Sequence, residues 1–254
     1  MRQLNIFALE KIPLIIPGDN LAKIIFNALK KSKLVIQDGD VFVIAQKIVS
    51  KAENRYVTLN EILPSKRASV LAQKTDKDPR LVELILRESK KVVRFRKGVI
   101  VVENKLGFIH ANAGIDRSNI ESDSLNTRVL LLPKNPDLSA KLLQKELSKI
   151  LLKKIGIIIN DSTGRAWRNG IVGIAIGCSG VSVLSDLRGQ KDLYGKTLEV
   201  TEVGIADELA SSASILMGQS NEGLPVVIIQ GLKLSNDKRG SKALLRLAKD
   251  DLFR

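Results

Sequence analysis

Residues 155–170 read I-G-I-I-I-N-D-S-T-G-R-A-W-R-N-G, and this stretch decides the fold. Its first five residues, 155–159, form an apolar run rich in β-branched isoleucine, which is typical of a strand buried on both faces. We expect the strand to stop at Asn160, so that Asp161 and Ser162 follow its carboxyl end. In open α/β sheets, ligands bind outside that end of the strands.

The second half of the stretch adds glycines and fixed positive charge. Gly164 and Gly170 allow tight backbone turns, and Arg165 and Arg168 supply guanidinium groups. A carboxylate, a hydroxyl, glycines and arginines together suit a phosphate bound with a metal ion. The alternative is a strand followed by a polar turn with surface arginines, and the stretch alone leaves both open. We assign Arg165 and Arg168 a catalytic role, in contact with phosphate or a substrate carboxylate.

The composition is that of a soluble globular protein. The chain has 254 residues, of which 44% are hydrophobic and 27% charged. No apolar run approaches the ~20 residues that span a membrane, and the N-terminus lacks the apolar core of a signal peptide. We therefore expect a cytoplasmic protein without membrane contact.

Cysteine and histidine usage excludes several kinds of site. A single cysteine, Cys178, excludes an internal disulfide framework and a cysteine-based metal site. A single histidine, His110, argues against a His-rich metal cluster and against a Ser-His-Asp triad. We interpret His110 as a residue that packs beside a strand.

The net charge of +14 favours anionic partners, which include nucleic acid, anionic lipid and phosphorylated small molecules. Nucleic-acid binding usually adds clustered basic residues or exposed stacking aromatics. Here aromatic residues make up only 4% of the chain, and the lysines are scattered through predicted helices. We interpret most of the excess as solvated lysine faces, with a minor share attracting anionic substrates, and expect no nucleic-acid partner.

Strand and helix signals alternate irregularly along the chain. Strands are predicted over residues 4–9, 41–45, 92–95, 99–102, 108–111 and 225–229. Helices are predicted from Asp19 or Asn20 to Ser32, from Ser65, from Asp78, from Asn135 to Leu152, and over 205–217. This pattern predicts a mixed α+β kind of α/β fold, with mixed sheets and flanking helices. We expect one domain over residues 1–233 and a basic tail, 234–254, that forms a peripheral helix.

Two further segments carry candidate metal and ligand groups. Residues 112–119 follow a predicted strand and include Asp116, which we expect to meet Asp161 at one metal ion; an ordinary Asx or Ser turn is the alternative. The loop 217–225 suits a ligand held by backbone amides and by Gln219, although a plain connection has the same composition.

Two lysine-containing segments are candidate phosphate sites. Lys47 and Lys51 follow a predicted strand, where lysine neutralises phosphate as a point charge, although a solvated lysine is the simpler interpretation of either residue alone. Residues 189–197, G-Q-K-D-L-Y-G-K-T, have five residues between the glycines where a P-loop needs four. We therefore predict no P-loop.

Taken in order, several strings resemble one known family. They are I-P-L-I, D-G-D-V-F-V-I-A-Q-K-I-V-S-K-A-E, K-D-P-R-L-V-E-L-I-L-R-E-S, N-A-G-I-D-R-S-N, N-D-S-T-G-R-A-W-R-N-G, D-L-Y-G-K and A-D-E-L-A. The chain is similar over residues 12–231 to the coenzyme F420-0:L-glutamate ligases, also called gamma-glutamyl ligases. Strings in this order are far more specific than any single motif.

The resemblance implies a reaction and its requirements. GTP phosphorylates the lactyl carboxylate of F420-0, a deazaflavin phosphodiester, and the amine of L-glutamate attacks the acyl phosphate to give an amide. Further gamma-linked glutamates can follow. The resemblance also implies an intertwined homodimer, two sites for Mg²⁺ or Mn²⁺, and a K⁺ ion whose ligands the sequence does not identify.

The resemblance also assigns residues. Asp116 and Asp161 would hold one divalent ion, and Ser162 and Gln219 a second. Ser162 replaces a common threonine, and Gln219 replaces the glutamate of some members, which weakens the charge balance of the second site. Nucleotide contacts are implied at Ile12, Pro13, Leu14, Ile15, Gln46, Lys47, Lys51, Asn119, Met217, Gly218, Gln219, Ser220, Asn221, Glu222, Gly223 and Leu224.

Two alternative functions were weighed against this one. The same acyl-phosphate chemistry would serve a related glutamyl ligase with a different carboxylate acceptor. A basic nucleic-acid-binding protein would instead show salt-sensitive binding that does not need Asp161. The scarcity of aromatic residues and the matching acid-bearing loops argue against the second alternative.

Overall fold

The computed structural model describes residues 3–122, 127–233 and 239–253. The strands are β1 (Asn5–Ala8), β2 (Val41–Ala45), β3 (Tyr56–Thr58), β4 (Ser89–Arg96), β5 (Val99–Asn104), β6 (Ile109–Ala111), β7 (Arg128–Leu130), β8 (Gly156–Arg165), β9 (Arg168–Ser179), β10 (Ser185–Asp186), β11 (Glu202–Val203) and β12 (Val226–Gln230). The α-helices are α1 (Leu21–Ser32), α2 (Gln46–Ala52), α3 (Lys66–Thr75), α4 (Pro79–Arg87), α5 (Pro136–Leu151) and α6 (Ile205–Met217). The mixed α/β class predicted from the sequence is confirmed.

A five-stranded mixed sheet forms the centre of the molecule, in the order β1-β12-β2-β8-β9. β2 and β8 run parallel, with Phe42 opposite Ile157, and the other neighbours are antiparallel. The isoleucine run is a strand buried on both faces, as predicted: Ile157 and Ile159 face α1 and α5, while Ile158 faces α6. Because side chains alternate along a strand, this run supplies two hydrophobic cores at once.

A third core lies under a separate three-stranded antiparallel sheet, β4-β5-β6. Helices α3 and α4 pack against it, and the short β3–β7 pair adds Val129 to the same core. The strands predicted over residues 92–95, 99–102 and 108–111 are confirmed as β4, β5 and β6. Contacts between β6 and β8 bring this third core beside the central sheet.

The predicted helix starts are confirmed by side-chain caps. Asn20, Ser65, Asp78 and Asn135 each accept a hydrogen bond from a backbone N–H in the first turn of the helix that follows. Each cap fixes where its helix begins.

The expected end of the central strand is wrong. β8 does not stop at Asn160 but continues to Arg165, and pairs along its whole length with β9 in a long hairpin. A register shift follows Ile159, at the point where the strand leaves the core and becomes partly exposed. Asp161 and Ser162 therefore lie on the strand itself, just beyond its buried part.

The expected helix in the tail is also wrong for the residues described there. Residues 239–253 contain two 3-10 turns, Ser241–Leu244 and Ala248–Asp250, and no α-helix. Ser241 is buried: its N–H donates to the Asp137 carboxylate, and its hydroxyl donates to the Ile176 carbonyl. These bonds fix the first of the two turns against α5 and β9. Residues 234–238 and 254 of the predicted tail lie outside the described residues.

No helix in the described parts of the chain is long and apolar enough to cross a membrane.

Candidate functional site

A cavity of about 880 Å³ opens at the carboxyl ends of the parallel pair β2 and β8. One wall comes from the central sheet and α2, and another comes from segment 110–120 after β5. Segments 12–15 and 217–225 complete it. This is the position where open α/β sheets bind ligands, so the cavity is the candidate active site.

Nearly all residues assigned from the sequence line this cavity. They are Ile12, Pro13, Leu14, Ile15, Gln46, Lys47, Lys51, Asp116, Asn119, Asp161, Ser162, Met217, Gly218, Gln219, Ser220, Asn221, Glu222, Gly223 and Leu224. The fold therefore brings together residues from five separate segments.

Arg165 and Arg168 do not line the cavity. They lie opposite each other at the tip of the β8–β9 hairpin, and both are exposed. Their assigned contact with phosphate or carboxylate stays a prediction.

The carboxylate of Asp116 forms an ion pair with Lys47 inside the cavity. Its Oδ2 atom lies 3.0 Å from the Lys47 ammonium, which also donates to the Ser118 hydroxyl at 2.7 Å. The Ser118 N–H and hydroxyl both donate to the other carboxylate oxygen, at 3.1 and 3.0 Å. These contacts orient the carboxylate of Asp116 towards a cation.

Asp161 lies deeper. The pKa of this carboxyl is raised to about 7, chiefly by burial. The Ser162 N–H and the Lys47 charge oppose this rise, and the nearby charge of Asp116 contributes to it. The Ser162 N–H donates to Oδ1 at 2.9 Å. A bound cation would stabilise the ionised form of such a buried carboxyl, because it compensates the buried negative charge.

Ser162 and Gln219 join the hairpin to the loop 217–225. The Ser162 hydroxyl donates to the Gln219 side-chain oxygen at 2.8 Å. Two oxygen donors from separate elements are therefore adjacent at the cavity surface, as the second metal assignment requires.

Lys51 and Asn119 join three segments of the cavity wall. The Lys51 ammonium donates to the Asn119 carbonyl, and the Asn119 amide donates to the Ser220 carbonyl, both at 2.8 Å. Asn119 adopts a left-handed conformation with φ of 56°, which asparagine tolerates better than most residues. Burial lowers the pKa of Lys51, and the charge of Lys47 lowers it further.

His110 also lines the cavity, and sequence reasoning missed it as a site residue. Its Nδ1 atom lies 3.4 Å from Asp161 Oδ2, and burial lowers its pKa to about 4, so the imidazole is neutral at pH 7. The prediction that it packs beside a strand is correct, since it lies buried on β6 beside Phe108. His110 comes two residues after Phe108, and residues two apart on a strand point to the same face. This spacing is the sequence signal that the His110 side chain points inward, just before the Asp116 loop.

Two more polar groups in the cavity wall have a buried atom with no hydrogen-bond partner in the described part of the chain. These atoms are Gln46 Nε2 and Asn160 Oδ1. Buried polar atoms are nearly always paired in folded proteins. A donor and an acceptor left unpaired at the wall of one cavity point to a polar ligand.

The donor set fits a divalent cation. Carboxylate, hydroxyl and amide oxygens are the ligands that Mg²⁺ and Mn²⁺ prefer, and the Lys47 ammonium at Asp116 already marks a position that favours positive charge. Within residues 3–122, 127–233 and 239–253, no three His, Cys, Asp or Glu side chains form a ready metal cluster. An ion here would need oxygens from a ligand to complete its coordination.

Fold and site together define a mixed α/β protein whose cavity at the sheet edge is lined by carboxylates and lysines, a lining that suits a cation and a phosphorylated substrate. The sequence model of the F420-0:Gamma-glutamyl ligase family matches residues 10–231. The chain belongs to that family, and it is therefore an enzyme of the ligase type.

Similar proteins support this assignment over their full length. The chain is 44% identical to the coenzyme F420:L-glutamate ligase of Methanocaldococcus jannaschii, covering 100% of this chain and 98% of that protein. It is 44% identical to the protein of the same name from Methanothermobacter thermautotrophicus, covering 99% of both chains. It is 40% identical to that of Archaeoglobus fulgidus, covering 99% of this chain and 97% of that protein.

Proposed function

We propose that this protein joins L-glutamate to the carboxylate of F420-0 and uses GTP to activate that carboxylate. The acceptor and the amino acid follow from the names of the relatives, each a coenzyme F420:L-glutamate ligase. GTP transfers its γ-phosphoryl group to the carboxylate, and GDP leaves. The glutamate amine then attacks the acyl carbon, the C–N bond forms, and phosphate and a proton are released. Further gamma-linked glutamates are added by the same two steps.

The nucleotide occupies the region between segment 12–15, α2 and the loop 217–224. The apolar side chains of segment 12–15 contact the base. Lys47 and Lys51 neutralise phosphate charge, and the unpaired Nε2 of Gln46 gains an acceptor. Asn119 and the backbone of the loop complete the contacts.

Asp116 and Asp161 would hold one Mg²⁺ or Mn²⁺ ion, and Ser162 and Gln219 a second, weaker one because Gln219 is neutral. A bound divalent ion neutralises charge that develops on the transferring phosphoryl group. An ion held by Asp116 would compete with Lys47 for this carboxylate, and the displaced ammonium would be free to neutralise phosphate. K⁺ is included in the proposal, without assigned ligands.

One observation carries the proposal. Asp116 and Asp161 come from separate elements, and their side chains line one cavity that also contains two lysines. Side chains that faced opposite sides of the molecule would have removed the basis for a shared cation beside a bound triphosphate.

The proposed enzyme works as a homodimer in the cytoplasm, without membrane or nucleic-acid partners. Support for a second copy comes from large apolar side chains left in solvent on a single chain. Leu193 is 100% exposed, Tyr194 96% and Ile215 81%. Contiguous apolar surface often marks a protein–protein contact, and Leu193 and Tyr194 are neighbours in the chain.

The test is mass spectrometry of F420-0 incubated with GTP, Mn²⁺ and L-glutamate. We expect the wild type to add the mass of one or more glutamates and Asp161→Asn to add none, because the amide is a poor ligand for the ion. Circular dichroism serves to establish that the variant is folded. A wild-type protein that hydrolyses GTP but never extends F420-0 would refute the proposal.

A panel of carboxylate acceptors separates this function from its closest alternative. We expect F420-0 to give the highest kcat/KM among deazaflavin, flavin and pterin acids offered side by side. A higher value for another acid would assign the same chemistry to a different acceptor.

A further inference from the structure

The tip of the β8–β9 hairpin presents an aromatic ring to solvent beside the cavity. Trp167, the only tryptophan of the chain, is 86% exposed. Its backbone adopts a left-handed conformation with φ of 64°, which is uncommon for so bulky a residue. Backbone conformations of this kind concentrate at ligand-binding sites. Phe253 lies beside it, with ring centroids 6.1 Å apart and planes tilted by 60°.

Arg165 and Arg168, two uncompensated positive charges, flank Trp167 along the chain. Arg165 and Arg168 lie opposite each other where the hairpin closes. In the part of the chain that the structure describes, neither guanidinium forms an ion pair with an acidic side chain. Both remain available to an anion.

The tip continues directly from the cavity wall. Gly164 and Ile171 are opposite residues of the hairpin and both line the cavity, and Arg165 is the next residue outwards. Arg165 is four residues after Asp161, which corresponds to ~13 Å along the strand. A ligand whose reacting end lies at Asp161 would need to be an extended molecule to reach the tip.

We infer that the hairpin tip is the acceptor-binding site: Trp167 stacks on the planar heteroaromatic ring of the acceptor, and Arg165 and Arg168 bind its phosphodiester. This inference rests on the proposed function. F420-0 carries a ring, a phosphodiester and a carboxylate in that order along an extended chain. The carboxylate reaches the cavity while the ring lies on the tryptophan, so the hairpin selects acceptors by their two remote groups.

The test compares F420-0 with an acceptor that lacks the ring, 2-phospholactate, in the wild type, Trp167→Ala and Trp167→Tyr. We expect Trp167→Ala to raise KM for F420-0 roughly tenfold, in the range found when stacking aromatics are truncated, and to leave KM for GTP and for 2-phospholactate unchanged. Trp167→Tyr keeps an aromatic face, so we expect its KM for F420-0 to stay close to that of the wild type. Phe95→Ala, which removes a half-exposed aromatic of β4, is the matched control and leaves every KM unchanged.

A double Arg165→Gln, Arg168→Gln variant tests the anion contact separately. We expect KM to rise for both acceptors, since both carry phosphate, and the salt dependence of F420-0 binding to fall. Binding of F420-0 is followed by the anisotropy of its own fluorescence without nucleotide, so the result does not depend on turnover.

Three outcomes would overturn the inference. In the first, Trp167→Ala binds F420-0 as tightly as the wild type. In the second, Trp167→Ala raises KM for F420-0 and for 2-phospholactate by the same factor. In the third, light scattering shows that the variant changes oligomeric state and all kinetic parameters fall together, which would make the tip an interface between copies. A wild type that binds F420-0 through Trp167 without extending it would refute the proposed function and leave the binding site standing.

Discussion

The Nδ1 atom of His110 lies 3.4 Å from Oδ2 of Asp161, with the two side chains 3% and 12% exposed. Ligands of metal ions are commonly held by such second groups, and their loss costs roughly 10- to 100-fold in metal affinity. We expect His110→Phe, which keeps the bulk but removes the N–H, to bind Mn²⁺ about tenfold more weakly in calorimetry. His110→Asn places an amide donor near the Nδ1 position and should retain most of the affinity. Equal Mn²⁺ affinity in the Phe variant and the wild type would contradict this role.

The pKa of Asp161 makes stability depend on pH in the metal-free protein. Burial raises that pKa to about 7 from 3.8, so the folded state binds more protons than the unfolded state between these values. The stability linked to Asp161 is therefore fully present below about pH 4 and is lost as pH rises to about 7. Asn stays neutral throughout, so we expect Asp161→Asn to be more stable than the wild type above pH 7, by at most about 4 kcal/mol.

The buried His110 changes folding stability in the opposite direction over a similar pH range. Its pKa falls to about 4 from 6.5, so protonation destabilises the fold as pH drops below about 6.5. In the wild type the two effects offset one another, whereas Asp161→Asn retains only the histidine effect. Urea unfolding in EDTA from pH 4 to 8 measures both curves. Parallel curves for the two proteins would show that Asp161 titrates normally.

Lys47 competes with a metal ion for Asp116, because its ammonium lies 3.0 Å from the carboxylate. We expect Lys47→Met to bind Mn²⁺ more tightly in the absence of nucleotide, by up to about fivefold, since partly exposed ion pairs contribute at most ~1 kcal/mol. The same variant should bind GTP more weakly because one phosphate-neutralising charge is gone. Calorimetry with Mn²⁺ alone and with GTP separates the two effects.

Lys51→Met is the matched control for that experiment. The Lys51 ammonium donates to the Asn119 carbonyl and has no direct contact with Asp116. We expect weaker GTP binding and a much smaller change in Mn²⁺ affinity. A Lys47 variant with weaker Mn²⁺ binding would mean that Lys47 supports the ion site rather than competing for it.

The site was predictable from the sequence because its residues stand directly beside strong local signals. Asp161 follows an isoleucine run that only a buried strand explains, and Asp116 follows β6 across a glycine turn. Such signals locate the sheet edge, and the edge locates the cavity. The pairing of Ser162 with Gln219, by contrast, was implied only by the family resemblance.

The extent of the hairpin was not predictable for a physical reason. Apolar runs report burial, whereas β8 beyond Ile159 is held by its pairing with β9 and is only partly buried. Helix α2 was missed for a related reason. It is seven residues long, has no side-chain cap, and carries Ile48 and Val49 directly after a strand, so its sequence resembles a continuation of β2. In both places tertiary contacts, not local propensity, decide the conformation.

Gly173 lets α6 approach β9 closely, and replacing it tests whether this packing positions the cavity wall. A Cβ atom there would lie 2.1 Å from Ser214 Oγ, and 2.6 Å from both the Ala210 carbonyl oxygen and Asn160 Oδ1. Helix α6 must shift to accept the methyl group, so we expect Gly173→Ala to lose about 1–3 kcal/mol of unfolding free energy in urea. Since Asn160 lines the cavity, GTP binding should weaken as well.

Gly164 lies on the same hairpin and provides the control. A Cβ atom there meets no other atom within 4 Å, and its backbone does not require a positive φ. We expect Gly164→Ala to stay within about 0.5 kcal/mol of the wild type. If both variants unfold at the same urea concentration, α6 is free to move away from β9 without cost. In that case the close packing at Gly173 would not hold Asn160 in place.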